Sequence, residues 1–217
     1  MDKRLRRFTG ALGLTASVVL LLQVPFYFVY SGARPDSNIL TRILISMCGS
    51  ALLIPFLTGL RQLLREARPE SEWLATASLT AALIWLTLGL VGQSMEAGTA
   101  IATEAPIDPT VQGPLAAGQF LLWGSMGRLM CGLFLASAGL ALLNTRILPR
   151  WIALLAWAVS AINLAFVPSL YFGGDAARFY SAVGWGTTAT ASSLVLCWIM
   201  AASLVLLTRP AVHLADR

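Results

Sequence analysis

From Trp73 to Met95 the chain reads WLATASLTAALIWLTLGLVGQSM, without one charged side chain. About 20 apolar residues make a helix long enough to cross a hydrocarbon core about 30 Å thick. A helix satisfies every backbone polar group within its own segment, which lipid cannot do for it. Comparable runs occupy residues 9–30, 39–60, 115–143, 151–171 and 182–207. The expected fold is all-α, a polytopic membrane bundle of six transmembrane helices. The connections are too short for a soluble domain, so residues 1–217 are read as one integral-membrane domain. Composition agrees, with 57% hydrophobic and 12% charged residues and a mean hydropathy of +0.75. Soluble domains carry about 25% charged residues.

The first run follows a basic start, as a signal peptide does. It is longer than a signal's apolar region, and "QVPFYFVYSGARP" offers no convincing small-x-small cleavage site, so it is read as an uncleaved first helix. Basic residues orient such a bundle. Lys3, Arg4, Arg6 and Arg7 precede or open the first run. Arg61, Arg65 and Arg68 lie at the 2–3 connection, Arg146 and Arg150 at the 4–5 connection, and Arg209 and Arg217 in the tail. Arg34, Arg42 and Arg178 fall on the other side, and Arg128 lies within a run. This bias places both termini in the cytoplasm. It also accounts for the net charge of +5, so nucleic acid is not expected as a partner.

Several chemistries are excluded. There is no phosphate-binding G-x-x-x-x-G-K-[ST], no H-E-x-x-H and no G-x-S-x-G. Paired aspartate-rich motifs for a magnesium diphosphate are missing. The lone histidine, His213, lies in the tail, which removes haem ligation inside the bundle and argues against zinc. No metal and no cofactor are expected. Cys48, Cys131 and Cys197 show no C-x-x-C spacing and are expected to pack as buried small hydrophobes.

The one ionisable residue deep in a run is Arg128, in "GSMGRLMCG" from Gly124 to Gly132. Counted from the cytoplasmic end at 1.5 Å per residue, it sits roughly 20 Å above the inner boundary. Gly124, Gly132 and Ala136 lie at four- and eight-residue spacing from it, and small residues at that spacing mark a close helix contact. Arg128 is therefore expected to face the bundle, either tying helices together through carbonyls or lining a pocket. Glu96, in "VGQSMEAG", is its expected acid partner. Arg42, Gln23, Gln93, Gln119, Asn163, Thr187 and Thr188 share the outer half. So do the aromatics Phe26, Tyr27, Tyr30, Phe120, Trp123, Tyr171, Tyr180 and Trp185, with Trp85 deeper. The polar residues of the runs thus concentrate toward the outside, which predicts an outward-opening cavity. Arg128, Arg42, Gln93, Gln119, Asn163, Trp123, Tyr171 and Trp185 are its candidate ligand-binding residues.

Two outer connections frame that cavity. "EAGTAIATEAPIDPTVQGP" carries Glu96, Glu104 and Asp108, and "YFGGDAARFYSAVGW" carries Asp175 and Arg178. Pro25, Pro55 and Pro168 are expected to kink or end their helices. A short internal similarity relates "TRILISMCG", residues 41–49, to "GSMGRLMCG", residues 124–132.

"LASAGLALLNTRILPRWIALLAWAVSAINL", residues 135–164, has a helix end, a short basic turn and then Leu-Pro-Arg-Trp opening the next helix. It resembles the uncharacterised six-helix integral membrane proteins common in GC-rich bacteria. The resemblance implies the architecture and a bacterial inner-membrane location, and no activity. In size and helicity the chain is also similar to the small integral-membrane terpene cyclases, which protonate an alkene or epoxide with membrane carboxylic acids. That likeness implies Glu96 and Asp175 as candidate catalytic acids.

Three functional readings follow. The first is a membrane protein binding a membrane lipid or small lipophilic molecule in an outward-facing polar and aromatic pocket. The second is an isoprenoid or lipid cyclase or isomerase acting by acid catalysis. The third is a structural or accessory subunit that meets a membrane-protein partner or another copy of itself through small-residue stripes such as Gly184, Thr188 and Ser192.

Overall fold

A computed structural model describes residues 2–28, 37–102, 118–119, 121–175 and 177–208, with the side chains of residues 27 and 28 left out. Tyr30, Arg34, Glu104, Asp108, Phe120, Arg209, His213 and Arg217 lie outside the described residues, as does the Tyr27 side chain. The described chain is helical, with six helices long and apolar enough to cross a membrane. Their α-helical parts, some extended by adjoining turns, are α1 (Lys3–Leu22), α2 (Ser37–Ala67), α3 (Glu72–Ala102), α4 (Gly127–Thr145), α5 (Arg150–Ala165) and α6 (Ala191–Thr208).

Local chemistry moves the boundaries away from those expected. Helix α1 begins at Lys3 rather than residue 9, because the Asp2 carboxylate accepts from Arg4 N at 2.8 Å and caps the basic first turn. It stops at Leu22, and Pro25 falls in a 3₁₀ turn, Val24–Phe28. Helices α2 and α3 each run 31 residues. Pro55 is accommodated inside α2 on its exposed side without ending it. Glu96, expected at the start of a connection, is helical, because α3 continues to Ala102. Helix α4 is preceded by a π turn, Leu122–Met126, broken at Gly124 (ψ −121°). Helix α5 ends at Ala165 and gives way to a 3₁₀ turn, Val167–Phe172, since Pro168 has no N–H to continue the α pattern. A second π turn, Gly186–Thr190, leads into α6.

Each helix packs on its neighbours in sequence, and α1 packs on α6, so the six form a closed ring. Alternation puts Lys3, Arg4, Arg6, Arg7, the α2–α3 turn and the α4–α5 turn at one end, here the basic end. The π turns, the 3₁₀ turns and the start of α2 lie at the opposite, distal end. The ring interior is apolar, with Leu53, Phe56, Phe134, Leu135, Trp198 and Ile199 almost fully buried. The outward faces carry Leu44, Met47, Ile54, Leu133, Leu154 and Leu204, all exposed. A bundle apolar on both sides is solvated by lipid, not water. Of the three cysteines only Cys131 is buried. Cys48 and Cys197 face outward, because their helices present those positions to the surroundings and not to a neighbour.

In lipid the hydrophobic effect no longer drives helices together, so close packing and interhelical hydrogen bonds carry the association. Every seam of the ring has such a tie. Asn38 Nδ2 donates to Phe26 O (3.1 Å), tying α2 to the 3₁₀ turn that follows α1. Arg61 pairs with Glu72 (2.7 Å) between α2 and α3. Ser78 Oγ donates to Phe134 O (3.3 Å) between α3 and α4. Ser160 Oγ donates to Gly132 O (2.8 Å) between α4 and α5. Trp198 Nε1 donates to Ile152 O (3.0 Å) between α5 and α6. Arg6 Nη2 donates to Val205 O (3.2 Å) and closes the ring between α1 and α6. Trp198 also meets Phe134 edge to face, with ring centroids 5.6 Å apart. Trp198→Phe keeps an aromatic there but removes the interhelical hydrogen bond, while the Ile152 carbonyl keeps its partner within α5. It is expected to cost about 1–2 kcal/mol, measured by denaturant unfolding in micelles.

Candidate functional site

The distal end gathers polar side chains from four helices. On α2, Arg42 and Ser46 are four residues apart and share a face. On α3, Gln93 and Glu96 are three apart and face them. Arg42 Nη2 pairs with Glu96 Oε1, and Gln93 Nε2 donates to Ser46 Oγ. The ion pair is buried, with the side chains 5% and 13% exposed. A charge pair so enclosed must be held by close geometry, because desolvation opposes it.

Trp123, in the π turn before α4, caps this pair. Its ring centroid lies 5.9 Å from Arg42 Cζ, within reach of a cation–π contact. Its Nε1 donates to Gly89 O at 3.3 Å. The indole lies directly on α3 because residue 92 is glycine, where a Cβ would stand 2.2 Å from Trp123 Nε1.

Arg128, in the first turn of α4, meets the backbone of the same tryptophan. The π turn explains why an arginine is useful there. Gly127 N bonds to Gly124 O, not to Trp123 O as an α-helix would require. The Trp123 carbonyl accepts instead from Arg128 Nη2 at 3.3 Å. Arg128 Nη1 donates to Asn163 Oδ1 on α5 at 3.1 Å, and Asn163 Nδ2 donates to Val159 O at 2.8 Å. Arg128 is 1% exposed and faces the bundle. Its expected pairing with Glu96 is not what the structure holds. Glu96 is taken by Arg42, because α3 runs alongside α2 and brings residue 96 level with residue 42, and Arg128 reaches across to α5.

The remaining candidates separate by exposure. Gln119 is buried beside α3, its carbonyl oxygen 3.3 Å from where a Gly92 Cβ would stand. Asn163 is fully buried. Asp175, by contrast, is an exposed loop residue. Its Oδ1 accepts from Ala177 N (2.9 Å), its Oδ2 faces Arg178 Nε (3.3 Å), and its carbonyl accepts from Ser181 Oγ (2.5 Å). Those bonds organise the 173–185 segment. Tyr171 is 83% exposed, and Trp185 is half exposed and meets Phe179 edge to face at 4.6 Å. The buried set is therefore Arg42, Gln119, Arg128 and Asn163, with Gln93, Glu96 and Trp123 partly buried. Tyr171, Asp175 and Trp185 belong to the outer rim.

Two features of the site were not singled out from the sequence. Ser46 is the hydrogen-bond partner of Gln93, and its spacing of four from Arg42 was the available signal. Trp123 joins the two arginines, which no spacing rule reveals because the link passes through a broken turn. The internal similarity of residues 41–49 and 124–132 has a structural counterpart. In each, the glycine of Met-Cys-Gly seats a leucine of the adjoining helix: Leu20 on Gly49 and Leu164 on Gly132. Among the described residues, no group of three or more His, Cys, Asp or Glu is placed to hold a metal ion. Compared with protein-family models, with curated proteins and with solved structures, the chain finds no match.

Proposed function

We propose that this chain is a multi-pass protein of the bacterial cell membrane that binds a membrane lipid or small lipophilic molecule at its distal end. The observation that carries the reading is the buried Arg42–Glu96 pair beneath Trp123. Apolar residues of the same volume would hold α2 to α3 at no greater cost, and an ionisable residue inside a membrane bundle marks a functional site by default. Arg42, Glu96 and Gln93 fix the ligand's polar group, and Trp123 with the rim aromatics receives its apolar part. The basic residues at the opposite end support a cytoplasmic location for both termini, and in this reading the ligand enters from the outer leaflet. Acid catalysis draws less support. Glu96 engages a guanidinium, the arrangement of a carboxylate anion rather than of a proton donor, and Asp175 is exposed.

The test is native mass spectrometry of mildly solubilised protein, with extraction of what stays bound. Wild type is expected to retain a defined lipophilic species. The double variant Arg42→Met/Glu96→Leu, which removes both charges of the pair together, should fold and lose it. Equal retention by both proteins would overturn the proposal.

A further inference from the structure

The positive charge of Arg128 has no counter-ion within the described residues. Its side chain is 1% exposed, makes no ion pair, and bonds only neutral groups, the Asn163 amide and the Trp123 carbonyl. A guanidinium enclosed in this way without an opposite charge is strongly disfavoured. Its Nε is buried with no hydrogen-bond partner. Two buried hydroxyls nearby in the fold are in the same condition, Ser125 Oγ and Ser169 Oγ. Ser125 is three residues before Arg128 and shares its face. Helical side chains lean toward the N-terminus, so Arg128 leans toward the Leu122–Met126 turn, as its bond to Trp123 O confirms. The Val167–Phe172 turn, which carries Ser169, packs against that same turn.

We infer that Arg128 Nε, with the hydroxyls of Ser125 and Ser169, holds a small monovalent anion between the π turn and the 3₁₀ turn at the distal end. A water molecule accepts only two hydrogen bonds and would leave the charge uncompensated, whereas an anion can accept from all three donors and neutralise the guanidinium. The two turns pack against each other, so the occupant proposed is small, a halide or the carboxylate that ends a lipophilic molecule. The Arg42–Glu96 pair takes no part in this site.

The decisive variant is Asn163→Asp, which gives Arg128 a carboxylate at the position its Nη1 already reaches. Thermal unfolding of detergent-solubilised protein is followed in sodium chloride, sodium bromide and sodium gluconate at equal ionic strength. Wild type is expected to melt about 5 °C higher in saturating halide than in gluconate, and Asn163→Asp to show no difference. Ser169→Ala should raise the half-saturating halide concentration about ten-fold. A wild type indifferent to halide but carrying a tightly retained carboxylic acid, absent from Asn163→Asp, would assign the anion to a ligand and sustain the inference. Neither a halide response nor a retained acid, or a halide response that persists in Asn163→Asp, would overturn it. Should Asn163→Asp not fold, the Ser125→Ala/Ser169→Ala protein is read by the same criteria. Arg42→Met/Glu96→Leu should keep the anion response, so failure here and failure of the lipophilic-ligand reading are told apart.

Discussion

Glutamine at position 96 is expected to destabilise the folded protein by about 3–5 kcal/mol. The substitution is nearly isosteric, so packing is preserved and the loss is electrostatic. Arg42, 4% exposed, would keep its charge in the bundle and face a neutral amide. Removing both charges has the opposite consequence. Arg42→Met/Glu96→Leu should recover most of the stability, since an apolar pair of similar volume commonly replaces a buried ion pair at no net cost. Unfolding in mixed micelles of the wild type, the single variants and the double variant gives the coupling energy directly. A Glu96→Gln loss below about 1 kcal/mol would place the pair with solvent-screened surface bridges, and the proposed binding role would lose its motivation.

Alanine at position 124 should cost about 3 kcal/mol, the upper part of the range for overpacking. Most of the chain's tight glycines face side chains that give way in part. Gly124 faces backbone, and an added Cβ would stand 2.1 Å from Ala182 O. The 173–185 segment would have to lift from the π turn, and with it the seat of Arg128. Gly89→Ala is the matched control. Nothing lies within 4 Å of its Cβ position, and helix propensity favours the change by about 0.5–1 kcal/mol. Thermal unfolding and protease cleavage after Arg178 should both report the difference. Equal melting of the two variants would show that the segment does not rest on Gly124.

The fold was legible to a large degree because lipid imposes a length and a polarity that need no knowledge of the partner helices. Six runs sufficed to identify six spans. The boundaries were less legible, because ends depend on caps and turns that composition does not record. Asp2 moved the first helix forward, and Pro168 ended the fifth early. Of the site, the residue types and their concentration toward one end could be read. The pairing could not. Arg128 and Glu96 were matched by estimated depth, yet depth alone does not decide which neighbour a face of α3 meets. Ring order places α3 between α2 and α4, and Glu96 turns to α2.

By itself the sequence determined that this protein is a six-helix membrane bundle, which end is basic, and that an arginine stands inside the fourth span. Each follows from transfer energies of individual residues, which are properties of the chain alone. Only the tertiary structure decided that Arg42 holds Glu96, that Trp123 contacts two arginines, and that Arg128 answers a carbonyl released by a broken helical turn. Those are relations among segments distant in sequence, set by which helix faces meet once small residues let their backbones approach.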